Sequence, residues 1–122
     1  MARSFEDLEV WQQAMQLAHR VRLTLHSREY YGDADMRSQI RRAAVSIPSN
    51  IAEGAERPSE KDFIKFLGYA SGSAAELITQ LNIIQLSGKR IDLDLPKLIA
   101  ELKEINAMIR RFIEKLSKEI NT

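Results

Sequence analysis

Cysteine is absent from this 122-residue chain, which excludes disulfides and thiolate metal sites and suits a reducing cytoplasm. Nor does any stretch approach the ~18 apolar residues that a membrane span requires. Met1–Asp7 lacks an apolar run, so no signal peptide is expected. Charge of one sign is missing as well, with Lys plus Arg at 18 against 17 acidic residues. A net charge of +1 supplies no general pull on a polyanion, so any such site has to come from local clustering. The scarcity of glycine (5) and proline (3) favours long regular elements. Internal repeats and low-complexity segments are likewise missing. A chain of this length suits one domain, residues 1–122, able to bury a core without staples.

What is present is helical periodicity. Met36, Ile40, Ala43, Ile47 and Ile51 step by four and three, the spacing of one helical face, yet Pro48 sits inside the pattern. A proline there removes a backbone donor and crowds the carbonyl of Ala44, at a cost of about 3 kcal/mol. The unbroken face predicts a single second helix, kinked at Pro48; the alternative is two helices split at Ser46–Pro48. Before it, Ser4 and Asp7 read as a capping box opening the first helix. That helix carries two adjacent apolar stripes. One is Leu8, Trp11, Met15, Ala18 and Leu25; the other is Val10, Ala14, Leu17 and Val21. Together they span more than the ~100° that a two-layer packing needs, which points to contact with another subunit or to a position deep between neighbours.

His26–Asp35 reads as a loop turning at Gly32-Asp33, with Asp33 or Asp35 capping the next helix. Ser59 and Asp62 form a second capping box. The third helix then carries Phe63, Phe66, Leu67, Ala70, Ala74, Leu77, Leu81 and Ile84 on one face. Its small residues Gly68, Ser71, Gly72 and Ser73 predict close approach to Ala43, Ala44 and Ala52, with a hinge as the other reading. Ile64, Tyr69, Ile83 and Leu86 fall off the main stripe, as a cyclic interface between subunits requires. Gly88 reads as a C-terminal cap, and Asp94-Leu95-Pro96 as the start of the fourth helix. Leu98, Leu102, Ile105, Ile109, Phe112 and Leu116 continue as a heptad seam. The whole predicts an all-α, antiparallel up-down four-helix bundle.

Gln39-Ile40-Arg41-Arg42-Ala43, followed by Val45-Ser46-Ile47-Pro48-Ser49-Asn50-Ile51-Ala52-Glu53-Gly54, resembles the family of four-helix-bundle proteins encoded in intervening sequences of bacterial 23S ribosomal RNA genes. Phe5-Glu6-Asp7-Leu8 and Val10-Trp11 before it agree with that likeness. So do Phe66-Leu67, Ala70-Ser71-Gly72-Ser73, Glu76-Leu77 and Gln80-Leu81 after it. The resemblance implies a cytoplasmic homopentamer. A more distant likeness, to the accessory protein of diversity-generating retroelements, implies a partner that is RNA, DNA or a nucleic-acid-handling protein. At Ala75 and Ile78 the chain departs from the family's more acidic pattern.

No catalytic constellation emerges. Neither His19 nor His26 has a glutamate three residues before it, so the bundle di-iron pattern is absent, and two histidines alone read as solvated or packing groups. Phosphate-loop and nucleophile-elbow motifs are missing. No enzyme, cofactor or metal is expected. Ser46, Ser49, Asn50, Glu53, Glu76 and Gln80 read as a polar network satisfying the carbonyl freed by Pro48, with a ligand pocket as the alternative. Arg37, Arg41 and Arg42, with Arg57, Lys61 and Lys65 nearby in the chain, form the candidate nucleic-acid surface. A solvated face is the other reading. Repeated on about five subunits, Arg41-Arg42 becomes a basic ring.

Overall fold

A computed structural model describes residues 4–25, 34–88 and 94–121. Four helices make the bundle: α1 (Glu9–Leu25), α2 (Ala34–Ala55), α3 (Glu60–Leu86) and α4 (Leu95–Ile120). Their ends follow the local chemistry. The Ser59 hydroxyl accepts from the amide of Asp62, and the Asp94 carboxylate from that of Lys97, each filling an orphan donor of a first turn. Gly88 closes α3 at φ 68°, a left-handed conformation that glycine adopts without a Cβ penalty. At the N-terminus the expectation is corrected. Ser4 accepts from Glu6 rather than Asp7 and caps a short 3₁₀ turn, Phe5–Asp7; α1 begins only at Glu9. Asp35 lies inside the first turn of α2, where its carboxylate accepts from Gln39. Asp33, the Gly32-Asp33 turn and His26 lie outside the described residues.

Neighbouring helices meet in opposite order along the chain. Ser46 of α2 meets Ser73 of α3, and further along α2, Gly54 meets Phe66 and Phe63. Likewise Phe63 and then Ser71 of α3 meet Phe112 and then Asn106 of α4. Leu17, Ile40, Ile47, Ile51, Leu67, Leu77, Leu81, Leu102 and Ile109 fill the centre, fully buried. α2 runs through Pro48 as one helix of 22 residues, with the proline itself buried. Among the described residues no helix is long and apolar enough to cross a membrane.

Two expectations about helix faces are overturned. Val10, Ala14, Leu17 and Val21 are buried in the bundle's own core, so they present nothing to another subunit. Both stripes of α1 are needed because it packs against α2 on one side and α4 on the other; of its large apolar side chains only Met15 and Leu23 stay exposed. Ile64 is also half-buried against the core. The glycines of α3 point outward: a Cβ built on Gly68 or Gly72 meets nothing within 4 Å. The close helix approach is instead at Gly54, whose ideal Cβ would lie 2.7 Å from Phe66 Cβ and 2.9 Å from Phe63 Cδ1.

Candidate nucleic-acid interface

Three arginines from two helices converge on the surface of α1 and α2. Arg41 and Arg42 are consecutive on α2, and Arg22 reaches them from the last turn of α1. With Val45 and Ser46 they line a hollow of about 400 Å³. All three guanidinium groups are exposed, and none meets a carboxylate among the described residues. Four other basic groups are paired with carboxylates. Arg20 pairs with Glu101 at 2.6 Å, Arg111 with Glu104 at 3.0 Å and Lys118 with Glu114 at 3.5 Å. Arg57 pairs with Glu53 at 2.9 Å and lies 4.8 Å above the Phe66 ring.

The six basic residues grouped by sequence thus divide. Arg41 and Arg42 stand in the hollow, and Arg37 is exposed one turn before Arg41 with a contact of its own. Arg57, Lys61 and Lys65 gather at the far end of α2, about 20 Å of helix away. Arg22 falls in a separate basic group of the chain, with Arg20 and Arg28, and only helix packing brings it alongside Arg41 and Arg42.

The polar network is smaller than expected and differently composed. Ser46 Oγ lies 2.8 Å from Ser73 Oγ across the α2–α3 contact, and Asn50 Nδ2 donates to both Ser46 Oγ and the Ser46 carbonyl at 2.8 Å. Those bonds serve Ser46, not the Ala44 carbonyl that Pro48 frees. Ser49 and Glu53 are exposed and stand outside the network. Glu76 and Gln80 pair weakly with each other at 3.4 Å, and Gln80 Oε1 is buried with no hydrogen-bond partner. Ser71 donates to Asn106 at 2.6 Å on the α4 side, a bond that periodicity gave no means of finding. Beside the arginine hollow, Gln39, Arg42, Ala43, Ser46, Ser73 and Glu76 enclose a second space of about 200 Å³. Arg42 and Ser46 belong to both.

Comparison with known proteins agrees with this architecture. The model of the 23S rRNA-intervening sequence protein family matches residues 6–111. Among solved structures, similarity extends to a protein of unknown function from the S23 ribosomal protein family of Bacteroides thetaiotaomicron VPI-5482. The TM-score is 0.72 at 25% identity, over 85% of this chain and 97% of that one. No curated protein matches.

Proposed function

The chain belongs to the 23S rRNA-intervening sequence protein family, and from that premise we propose a non-enzymatic, homo-oligomeric cytoplasmic protein that holds RNA or DNA by its phosphates through Arg22, Arg41 and Arg42. One observation carries the reading: three guanidinium groups line one hollow, and none of them is ion-paired among the described residues. Guanidinium forks bind phosphate oxygens in pairs, and each neutralised phosphate releases counterions. Arginines that are already paired, such as Arg20, offer much less. A salt titration of binding to a random-sequence single strand tests this. Wild-type affinity falls steeply with salt, and in the Arg22→Ala/Arg41→Ala/Arg42→Ala variant the log–log slope drops by about 2, at roughly 0.7 per phosphate contact. Absence of binding at low salt, or an unchanged slope in the variant, overturns it.

Assembly of copies would multiply those charges into a ring. The C-terminal half of α3 supports it: Ile83 and Leu86 are exposed, and no charged residue occurs from Leu77 to Gly88. So uncharged a surface is suited to burial against another copy. Five copies is the number that the family resemblance implies. In native mass spectrometry the wild type runs as the oligomer and Ile83→Glu/Leu86→Glu as the monomer. A wild-type monomer at high concentration refutes the assembly.

A further inference from the structure

The second space, between α2 and α3, adjoins the arginines but differs from them in chemistry. Its rim carries the Glu76 carboxylate, which receives only the 3.4 Å contact from Gln80 Nε2. Its floor carries the Ser46–Ser73 hydroxyl pair, held from behind by Asn50. Two hydroxyl groups bring two hydrogens, and one is consumed between them. Whichever serine donates, the other keeps a hydrogen for an outside acceptor. The place therefore offers acceptors on one side, a spare hydroxyl donor on another, and the Arg42 guanidinium where it joins the arginine hollow.

We propose that this groove receives one guanine base of a bound single strand, with its phosphate on Arg22 and Arg41. The inference rests on the phosphate-binding reading above and adds what that reading lacks, a base contact. Guanine presents two donors side by side on its pairing edge, N1–H and the exocyclic N2–H, with the O6 acceptor next to them. The two donors fit the two oxygens of Glu76, and O6 meets the free serine hydrogen. Adenine, cytosine and uracil each place an acceptor beside their pairing-edge donor, which a carboxylate repels. Arg42, shared by both spaces, can lay its planar guanidinium on the base, a stacking mode common where unpaired bases are read. Phosphate contacts set position and base contacts set specificity, and the two hollows divide that labour.

Fluorescence anisotropy with two labelled RNA octamers, all-uridine and uridine with one central guanine, gives the test. Wild-type protein holds the guanine strand about tenfold more tightly, the scale of one bidentate base contact. Strands with a central adenine or cytosine behave like all-uridine. Glu76→Gln, at an exposed position where the fold is indifferent, turns one acceptor into a donor and abolishes the preference while still binding all-uridine RNA. Arg22→Ala/Arg41→Ala weakens both strands alike. Equal wild-type affinity for the two strands, or a preference that survives Glu76→Gln, overturns the guanine groove and leaves the phosphate site standing. If neither RNA binds, both readings fall.

Discussion

Gly54→Val lowers the stability of the bundle by about 3 kcal/mol, read as a reduced urea midpoint at constant slope. The Cβ that valine brings would stand 2.7 Å from Phe66 Cβ, 2.9 Å from Phe63 Cδ1 and 3.3 Å from the Phe63 carbonyl oxygen. Two of those atoms are backbone or one bond from it, so they cannot swing aside. The third belongs to a ring packed edge-on against Phe112 at 5.1 Å. Relief requires α2 and α3 to separate, which opens the core around Ile51 and Leu67. Against this, losing a helical glycine returns less than 1 kcal/mol. Gly68→Ala and Gly72→Ala are the contrast. Nothing lies within 4 Å of their new methyls, so each gains about 0.5–1 kcal/mol. That comparison is made in the Ile83→Glu/Leu86→Glu background, so that assembly does not enter it. A Gly54→Val midpoint equal to wild type contradicts the close approach.

Leu17→Ala is the second large effect, a loss of about 3 kcal/mol. Leu17 is fully buried, and the cavity left by its truncation sits among residues of rigid helices that collapse only partly. Met15, two positions earlier and 39% exposed, bears the opposite expectation: Met15→Ala changes stability by no more than about 0.5 kcal/mol. The Leu17 loss is the same at low and high protein concentration. An interface residue would behave otherwise, since stability drawn from association grows with concentration. A Leu17→Ala midpoint that shifts with dilution would return this stripe to the subunit interface.

The residues that misled sequence reading are physically instructive. From Phe66 onward α3 carries a single charge, so little in it marks an outward face, and glycine fits a tight contact as well as open solvent. Gly68 and Gly72 are on the open side, while Ala70 and Ala74 turn inward. On α1 both apolar stripes were visible, but periodicity cannot count the helices that will cover them. α4 was largely legible because charged residues flank its seam: Leu98, Leu102, Ile105, Ile109 and Leu116 are buried as the spacing predicts, Phe112 is half-buried, and Leu95 and Ile99 join the core outside the seam. Of the candidate site, Arg41, Arg42 and Ser46 were legible together; that Arg22 and Ser73 join them was not, because they lie on other helices.

The sequence by itself determined four helices, the caps at Ser59 and Asp94, the left-handed stop at Gly88 and the continuity of α2 across Pro48. These are local properties, set by backbone donors, side-chain oxygens and the 3.6-residue repeat. Only the tertiary structure decided which stripe of α1 is covered, that Gly54 carries the tight contact, and that Arg22 joins Arg41 and Arg42 beside the Ser46–Ser73 pair. Each of those depends on how far a helix is rotated about its own axis and which neighbour it meets. That rotation is fixed by packing the whole core at once, and no single segment contains it.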